Sequence, residues 1–514
     1  MKKFYLLLAI INLLIVYSCS KDNEKITQLS FAQNPVQLRI GDTLTLKVTY
    51  APANLPAPSC QWTNTDPSVA TLDSHGKLTG ISRGNTLIMI TTNDGALIAT
   101  CMVTVTFKGD GSVNNPYCIY TLADLKNLRD SINKNNAAYG NKAYKLMADL
   151  DFSKETDPWI PIGNDLSCSF KGVFDGNGKT ITHMKISDQS HDRTYTQYAG
   201  FFGCIEGAII KNSGIVWEEI VTNSVTSDTN AYIGGIAGYG SGTIDNCHTS
   251  GEFLFLKPDV SGYVGGIIGY GAMPASIANS HSDVEIRNGY NSGGIAGYLI
   301  GTISNCSAAG NLNSVRKYAG GIAGCSVGLI INSYSLGKLC LYSGYVSGGV
   351  SGYHSGQIVN CYATGEINGT YSGGIAGMGG TIYNCYASGD IYGYGGDDIS
   401  NMPGFAGGIA AQALGITNCL AIGNVVKVFS NHNAARICSL FFSSGGSELN
   451  YANSSMRVAP VPDLSDTRRN GYNLTAQPVD LLNAYVTANP TFNGIPLSKW
   501  KVTLGVNNCY PVFE

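Results

Sequence analysis

The segment Gly373-Gly-Ile-Ala-Gly377, which is followed by Gly380-Thr-Ile-Tyr-Asn-Cys385, decides how this chain folds. The first part recurs unchanged at 234–238, 293–297 and 320–324, and variants of it begin at 199, 265, 348 and 407. Consecutive copies start between 25 and 35 residues apart. A motif that returns at such a period is typical of a solenoid, in which each repeat forms one turn and stacks on the next.

The second part of the repeat places an Asn before a Cys or a Ser. These eight Asn residues are Asn212, Asn246, Asn279, Asn305, Asn332, Asn360, Asn384 and Asn418. Asn tolerates the left-handed backbone conformation, so we expect it at a one-residue bend between short strands. Such a bend would let Ile382 and Cys385 both face a core of Ile, Ala and Cys. Stacked Asn side chains would also hydrogen-bond along a β-helix, which at ~4.8 Å per turn would be roughly 40 Å long.

The repeats, together with Asn115-Pro-Tyr117, Trp159-Ile-Pro-Ile-Gly163 and Phe174-Asp-Gly-Asn-Gly178, resemble the GLUG motif of bacterial surface proteins. The closing Tyr510-Pro-Val512 also resembles that family, so the likeness covers nearly all of 109–514. The resemblance implies a role like that of adhesins or of accessory regions of immunoglobulin-cleaving metallopeptidases. It does not itself imply catalysis.

The segments on either side of the repeats at 199–425 are predicted to be caps. In 107–198, Thr121 is a candidate helix N-cap, and apolar residues then recur at helical spacing. The Gly-Asn-Gly of 176–178 predicts a hairpin turn between two strands. After Val426 the repeat is no longer visible, so 426–514 is predicted to be a terminal cap that packs on the last turn.

A separate domain is predicted over 26–106, where short stretches of alternating apolar and polar residues are separated by turns. The residues from Trp62 to Leu72, followed by Gly76-Lys-Leu-Thr-Gly80, resemble the group 2 bacterial immunoglobulin-like domain. The resemblance implies a β-sandwich that acts as a spacer or binding module. Cys60 and Cys101 lie on different predicted strands, and the sequence leaves open whether they form a disulfide or are two free buried thiols.

The N-terminus carries a predicted export signal over 1–18, with a basic start and a short apolar run. The sequence Val16-Tyr-Ser-Cys19 resembles the bacterial lipobox, which implies a lipid on Cys19. Ser20-Lys-Asp-Asn-Glu24, within the linker 19–25, resembles the export tag of surface lipoproteins from some Gram-negative gut bacteria. The expected location is therefore the outer membrane, anchored by lipid and exposed at the cell surface.

The composition disfavours several classes of function. Charged residues make up 13% of the chain and the net charge is −3, so there is no electrostatic footprint for nucleic acid. The seven His residues include no His-Glu-x-x-His pair, which a zinc peptidase would need. Neither a nucleophile elbow nor a phosphate-binding loop is present. We therefore expect no enzyme activity, no metal and no cofactor.

The best candidate binding residues lie in the insertion that begins at Gly389. Tyr392 and Tyr394 could stack on a sugar, while nearby carboxylates bind hydroxyls or calcium. These carboxylates are Asp390, Asp397 and Asp398. The alternative is a solvated loop. A second stripe, Tyr334, Tyr362 and Tyr386, is interpreted as packing in preference to ligand stacking.

The sequence as a whole favours an all-β surface lipoprotein that acts as an adhesin-like scaffold for glycan or protein ligands. Two alternatives stay open. A polysaccharide-degrading β-helix would need paired carboxylates on one groove, some 5–9.5 Å apart. A purely structural spacer of the cell envelope would need no ligand.

Overall fold

The computed structural model describes residues 25–513, except 188–196, 223–229, 256–261, 314, 342–345, 395–403, 430–432, 443–445, 463–464 and 504–510. The chain divides into two compact units, Met1–Lys108 and Gly109–Glu514. The architecture is an immunoglobulin-like domain followed by a β-solenoid of about ten turns, which confirms the predicted fold class.

The first unit is a small β-sandwich. Alternating residues of its long strands are buried, among them Ile88, Ile90 and Val103, so the predicted period-two pattern marks the core face. Its largest sheet has the strand order Val36–Arg39, Ile98–Thr106, Gly84–Thr92, Cys60–Asn64. The other strands are Thr43–Thr45, Lys77–Gly80 and Ala70–Leu72 in one sheet, and Gln28–Phe31 with Val48–Ala51 in another.

Cys60 and Cys101 are free thiols in this sandwich. Cys60 pairs with Thr92 and Cys101 pairs with Ile88, on opposite edges of the strand between them. The two cysteines are therefore two strands apart and offset by four residues along the sheet. Their Cα atoms are therefore much further apart than the ~7 Å that a disulfide tolerates. The hypothesis of a Cys60–Cys101 disulfide is wrong, and the alternative of two free thiols is the one that the structure shows.

The first helix of the second unit, α1 (Leu122–Lys134), follows strand Tyr117–Ile119. Thr121 caps it as predicted, because its side chain accepts a hydrogen bond from the Asp124 N–H while the Asp124 carboxylate accepts one from the Thr121 N–H. Leu125, Leu128 and Ile132 are fully buried. The remaining elements before the repeats are strands Tyr117–Ile119, Ala143–Leu146, Leu150–Asp151 and Val173–Ser187, helix α2 (Asn136–Tyr139) and the 3-10 turn Leu166–Cys168.

The predicted hairpin at Gly176-Asn-Gly178 is wrong. Strand Val173–Ser187 runs straight through this sequence and pairs in parallel with the strands before and after it. Asn177 has φ 54°, the same left-handed corner that the repeats use. The entry segment is therefore already part of the solenoid, and Gly-Asn-Gly is a variant of the Asn corner instead of a chain reversal.

Each turn of the solenoid has three sides. The first side is a short strand that ends at the glycine pair, and its copies form a parallel sheet of nine strands. These strands are Tyr198–Ala199, Ala231–Gly234, Gly262–Gly265, Asn291–Gly293, Tyr318–Gly320, Val346–Gly348, Tyr371–Gly373, Phe405–Gly407 and Asn433–Ala435.

The second and third sides belong to one continuous parallel sheet and are separated by the Asn corner. The second side consists of Phe202–Thr222, which continues into the third side, and of Ala237–Asp245, Ile268–Ala278, Ala296–Ser304, Ala323–Ile331, Ser351–Val359, Ala376–Tyr383, Ala410–Ala413 with Gly415–Thr417, and Cys438–Phe441 with Ser447–Glu448. The third side consists of His248–Phe255, His281–Arg287, Ser307–Ala308 with Leu312–Asn313, Tyr334–Ser335 with Leu339–Cys340, Tyr362–Ala363 with Ile367–Gly369, Tyr386–Ala387 with Ile391–Gly393, Leu420–Ala421 with Val425–Val428, and Tyr451–Ala452 with Arg457–Ala459.

The Asn corners form the predicted ladder. All eight Asn residues have φ between 49° and 53°. The side-chain amide of each donates to the preceding turn, for example from Asn384 Nδ2 to Asn360 Oδ1 at 2.8 Å. Two of the eight donate to a carboxylate instead of to a corner Asn, Asn212 to Asp175 and Asn279 to Asp245. Ile382 and Cys385 are both fully buried, which confirms that the bend turns both inward.

The Gly-Gly corner between the first and second sides points into the solenoid. A Cβ atom on Gly349 would lie 2.4 Å from the Cβ of Ala363 on the third side, and one on Gly321 would lie 2.0 Å from Ser335 Oγ. The second glycine of each pair is therefore required because the corner contacts the opposite wall. Seen from solvent, this corner is a dent.

The solenoid continues past Val426, which contradicts the predicted loss of regularity. The next turn contains Leu449 at φ 52° in the place of the corner Asn, and Asn450 in the place of Cys. These substitutions conceal the motif while preserving its backbone. The last partial turn contains helix α3 (Thr467–Asn470) and strand Tyr472–Asn473.

The C-terminal residues fold back along the Asn corners instead of packing on the last turn as predicted. They comprise helix α4 (Pro478–Ala488) and two strand pairs, Thr491–Phe492 with Ile495–Pro496 and Trp500–Val502 with Pro511–Phe513. Ser498 hydrogen-bonds to Asn332, Asn360 and Asn384, and Asn418 donates to the Leu482 carbonyl. We call residues 478–503 and 511–513 the clasp, since contacts from this segment cover four successive corners.

Candidate binding surface

The predicted acidic cluster is not assembled as a ligand site among the described residues. Asp390 Oδ1 accepts hydrogen bonds from the backbone N–H groups of Asn424 at 2.9 Å and Val425 at 3.0 Å, so its carboxylate fixes the next turn. Asp397 and Asp398 lie outside the described residues. Partial burial raises the pKa of Tyr392, and the nearby Asp390 carboxylate adds to this effect. No pair of carboxylates is formed in the described part of this insertion.

Tyr392 and Tyr394 are placed beside an aromatic residue from the following turn. The Tyr394 ring stacks on Phe429 with centroids 4.8 Å apart, and the Tyr392 ring lies 6.2 Å from the same residue. Lys427 Nζ lies 4.4 Å from the Phe429 centroid. Tyr394 and Phe429 are about half exposed, at 44% and 53%. This small aromatic patch is what the structure shows of the predicted binding residues.

The stripe of Tyr334, Tyr362 and Tyr386 is a packing element, as interpreted from the sequence. Its rings stack at 4.7 and 5.0 Å along the third side. Trp500 lies 5.4 Å from the Tyr386 ring, and the Tyr386 hydroxyl donates to the Pro511 carbonyl at 2.6 Å. The clasp therefore covers this stripe.

A larger aromatic surface, which the sequence analysis missed, lines the dent between the first and second sides. On the first side, Tyr198, Tyr232 and Tyr263 stack in a column with centroids 5.4 and 5.6 Å apart. On the second side a parallel column stacks at 5.3 and 4.8 Å. Its members are Tyr239, Tyr270 and Tyr298. We call these six residues the tyrosine surface.

The two columns interlock across the Gly-Gly corner. Tyr232 and Tyr239 meet edge to face with centroids 5.1 Å apart, and Tyr263 and Tyr270 meet in the same way at 5.2 Å. Outward-facing side chains on either side of a convex corner would diverge, so these contacts show that the corner is concave toward solvent. Edge-to-face and offset stacked pairs are the favoured arrangements of aromatic rings, and they stabilise the dent.

The tyrosine surface is uncharged and rich in hydroxyl groups. Desolvation by partial burial, with smaller contributions from neighbouring phenols, raises the pKa of Tyr270 to about 12. Burial likewise raises the pKa of Tyr198 to about 12. The phenols therefore stay protonated at physiological pH, and each can donate and accept a hydrogen bond.

The sequence does contain a signal for this surface. A Tyr stands two residues before the glycine pair, as in Tyr263-Val-Gly265, and another directly follows the last glycine of the motif, as in Gly297-Tyr298. The glycine motif between these two positions is the more conspicuous repeat. That the two Tyr positions face each other becomes apparent only once the corner between them is known to be concave.

Two further candidate features are not found in the described part of the chain. It contains no group of three or more His, Cys, Asp or Glu side chains placed to hold a metal ion. None of its helices has the length and apolarity to cross a membrane.

Comparison with known proteins identifies the first unit. Residues 25–103 match the family model of the bacterial Ig-like domain (group 2), in agreement with the resemblance seen in the sequence.

Parts of this chain are similar to parts of two much longer proteins, and its fold was compared with solved structures. A proposed Gly-rich membrane protein of Evansella cellulosilytica is 32% identical over 143 residues, which cover 27% of this chain and 15% of that protein. Halomucin of Haloquadratum walsbyi is 29% identical over 156 residues, which cover 29% of this chain and 2% of halomucin. A crystal structure of a proposed immunoglobulin A1 protease from Bacteroides ovatus shares 21% identity and covers 79% of this chain and 94% of its own, with a TM-score of 0.34. This chain therefore spans only a small part of the two curated relatives.

Proposed function

We propose that this protein is a surface lipoprotein, anchored through a lipid on Cys19, whose GLUG-type solenoid binds extended glycans along the tyrosine surface without acting on them. Similarity of part of this chain to a Gly-rich membrane protein supports an association with the cell envelope. The lipobox-like residues before Cys19 support the lipid anchor. The adhesin-like role is inferred from the tyrosine surface.

The observation that carries the proposal is the pair of tyrosine columns. Within a column the ring faces cover one another at about 5 Å, so the ring edges and hydroxyl groups form the outer boundary of the dent. Each column provides one phenol per turn over three consecutive turns, which gives an array of neutral hydrogen-bonding groups on an apolar base. Sugars present hydroxyl groups beside apolar C–H surfaces, and an extended glycan repeats both along its length.

Binding is favoured over cleavage by the state of the candidate carboxylates. Glycoside hydrolysis uses two carboxyl groups that flank the scissile bond. Asp390, the described member of the predicted acidic cluster, uses its carboxylate to hold the backbone of the following turn. The tyrosine columns contain hydroxyl groups but no carboxylate.

A glycan array probed with residues 25–514, followed by affinity measurements on the best glycan, tests the proposal. Tyr270→Ala removes the ring that contacts four other members of the surface, and we expect about tenfold weaker binding, or ~1.4 kcal/mol. Tyr334→Ala is the matched control, because it also removes a stacked, partly buried ring but lies on the third side. An array without any bound glycan, or equal binding by both variants, would contradict the proposed function.

The lipid anchor and the surface location have their own test. Metabolic labelling with a palmitate analogue should modify the full chain, and Cys19→Ala should abolish the label. Protease treatment of intact cells should degrade the protein. A chain that stays unlabelled, or one that protease leaves intact on whole cells, would contradict anchoring or surface exposure respectively.

A further inference from the structure

Both tyrosine columns are interrupted just beyond the six residues of the tyrosine surface. In the first-side column, the strand register puts Asn291 between Tyr263 and Tyr318. In the second-side column, it puts Cys325 between Tyr298 and Tyr353. Each column therefore lacks one ring at this place, and the two gaps lie on adjacent turns. The first-side column is interrupted again two turns further along, at Val346.

The gap has the thickness of one ring. Consecutive turns are ~4.8 Å apart, so Tyr263 and Tyr318 are separated by two turns with a small side chain between them. On the far side of the gap, Tyr318 of the first side and Tyr353 of the second side contact each other in a tilted arrangement, with centroids 5.6 Å apart. Tyr263 and Tyr298 contact each other edge to face with centroids 5.8 Å apart, but on the side of the gap each lacks the stacked neighbour that the preceding turns provide.

The floor of the gap carries an unpartnered polar group. Asn291 is 5% exposed, and its Oδ1 atom is buried without a hydrogen-bond partner among the described residues. A buried acceptor without a donor is costly, and native structures rarely keep one without a reason. Cys325, at 6% exposure, forms the rest of the floor, and burial raises the pKa of its thiol to about 12, so it is a neutral and unreactive group there.

The rim of the gap carries a positive charge. Lys317 Nζ lies 5.2 Å from the Tyr318 centroid and 5.6 Å from the Tyr290 centroid. Its contacts are therefore with aromatic rings, and it adds an ammonium group to a surface that is otherwise neutral. The Lys317 N–H donates to the carbonyl of Tyr290 at 2.9 Å, and Tyr290 directly precedes Asn291 of the floor.

We propose that this gap, which we call the slot, is a subsite for a carboxylate-bearing sugar within a longer glycan. The pyranose ring takes the place of the missing tyrosine and stacks on Tyr263. One of its hydroxyl groups donates to Asn291 Oδ1, and its carboxylate pairs with Lys317. The inference rests on the proposed function, because the remainder of the glycan lies along the tyrosine surface.

Calorimetric titration of residues 25–514 with matched sugars tests the slot. The probes are methyl β-glucuronide against methyl β-glucoside, and sialyllactose against lactose, so that the two pairs separate a hexuronate from a sialic acid. We expect one acidic member to bind at least tenfold more tightly than its neutral partner. Lys317→Gln should remove that preference and leave the weaker neutral binding unchanged. Equal affinities within both pairs, or an unchanged preference in Lys317→Gln, would overturn the slot.

Filling the slot gives an independent test. Asn291→Tyr completes the first-side column and should abolish binding of the acidic sugar while glycans on the array still bind. Val346→Tyr adds a ring two turns further along the same column and should leave acidic-sugar binding unchanged. If Asn291→Tyr does not fold, Asn291→Ala keeps the slot open and should weaken binding by about tenfold. Undiminished binding in the folded Asn291 variant would overturn the slot alone, whereas absence of all glycan binding would overturn the proposed function with it.

Discussion

At the scale of single residues, the Asn corners combine a backbone role with a side-chain role. Asn360 is fully buried and its amide nitrogen donates to Asn332 Oδ1, to the Pro496 carbonyl and to Ser498 Oγ. Its carbonyl oxygen accepts from Asn384 and from the Ser498 N–H. Asn246 adopts the same φ but donates a single hydrogen bond, to Asn212, at an exposed position. The same corner thus occurs in a covered and an uncovered form.

Substituting the two corners should separate these roles. Asn360→Ala leaves several buried partners unsatisfied and strains the left-handed backbone, so we expect it to cost about 3–5 kcal/mol. Asn246→Ala should cost about 1–2 kcal/mol, mostly backbone strain. Asn360→Gly should recover about 1 kcal/mol of the first loss, because glycine relieves strain without restoring hydrogen bonds. Urea unfolding of the three variants measures this order, and equal losses at the two positions would refute it.

His354 makes the solenoid sensitive to acid. It is 1% exposed, with Nδ1 2.7 Å from Ser326 Oγ, and burial lowers its pKa to about 4. The unfolded chain binds a proton below pH ~6.5 that the folded chain refuses until about pH 4, so the free energy of unfolding falls as pH drops through this window. The loss should approach about 3 kcal/mol, with no contribution above pH ~7.

Urea unfolding of the native chain and of the His354→Gln variant at several pH values measures this contribution. Carboxylates titrate in both proteins, so the difference between their pH profiles isolates the imidazole. His354→Gln should lose less stability between neutral and acidic pH. Parallel profiles would show that His354 is not the origin of acid sensitivity.

At the scale of elements, the clasp stabilises the side of the solenoid. Trp500 is 2% exposed, donates from Nε1 to Asn384 Oδ1 at 3.0 Å and packs on Tyr386 and Phe513. Leu482 and Val486 of α4 are also buried, the latter in a cluster with Val359. A segment far away in sequence therefore completes the core of four inner turns.

Trp500→Ala should destabilise the solenoid by about 3–5 kcal/mol, the usual cost of truncating a buried Trp. Calorimetry of the whole chain should show the corresponding transition at lower temperature. Trp62→Ala is the control, since Trp62 packs on Phe31 in the first unit and should lower only the transition of that unit. A Trp500→Ala protein with both transitions unchanged would show that the clasp adds no stability.

Elements differ in how well the sequence predicts them, and the reason is the range of the contacts. The Asn corners and α1 depend on local signals, namely a left-handed residue and a capping box, and both were predicted. The last turns were missed because Leu449 takes a backbone conformation that its identity does not indicate. The clasp was misplaced because Ser498 and its partner Asn360 are 138 residues apart, with no periodicity to connect them. The tyrosine surface could not be predicted from the sequence, because its two columns meet only across a corner whose concave shape the sequence does not reveal.

At the scale of the whole molecule, the thiols form buried columns and not a disulfide framework. All thirteen described cysteines are free, and burial raises the pKa of four of the buried thiols to about 12, namely Cys247, Cys306, Cys325 and Cys438. Protonated thiols are poor nucleophiles. These cysteines are therefore protected from thiol reagents both by their burial and by their protonated state. Only Cys60, Cys118 and Cys340 are partly exposed among them.

A thiol-reactive dye should therefore label the native protein in two phases. In a Cys19→Ser, Cys509→Ser background, which removes the two cysteines outside the described residues, Cys60, Cys118 and Cys340 should react first. The other ten should react only on unfolding, and reductant should not change electrophoretic mobility. Fast labelling of Cys385, or a mobility shift on reduction, would contradict the free-thiol core.

The clasp also limits where this protein can grow. It spans the corners from Asn332 to Asn418, so a turn duplicated inside that stretch would separate Ser498 and Trp500 from the Asn partners they are spaced to meet. A turn duplicated between 231 and 313 would meet no such constraint, since each of those turns contacts mainly its neighbours. Tandem duplication can therefore lengthen the half that carries the tyrosine surface in steps of ~4.8 Å. Relatives that differ in turn number should differ in the length of glycan they accommodate and not in how their C-terminal half is secured.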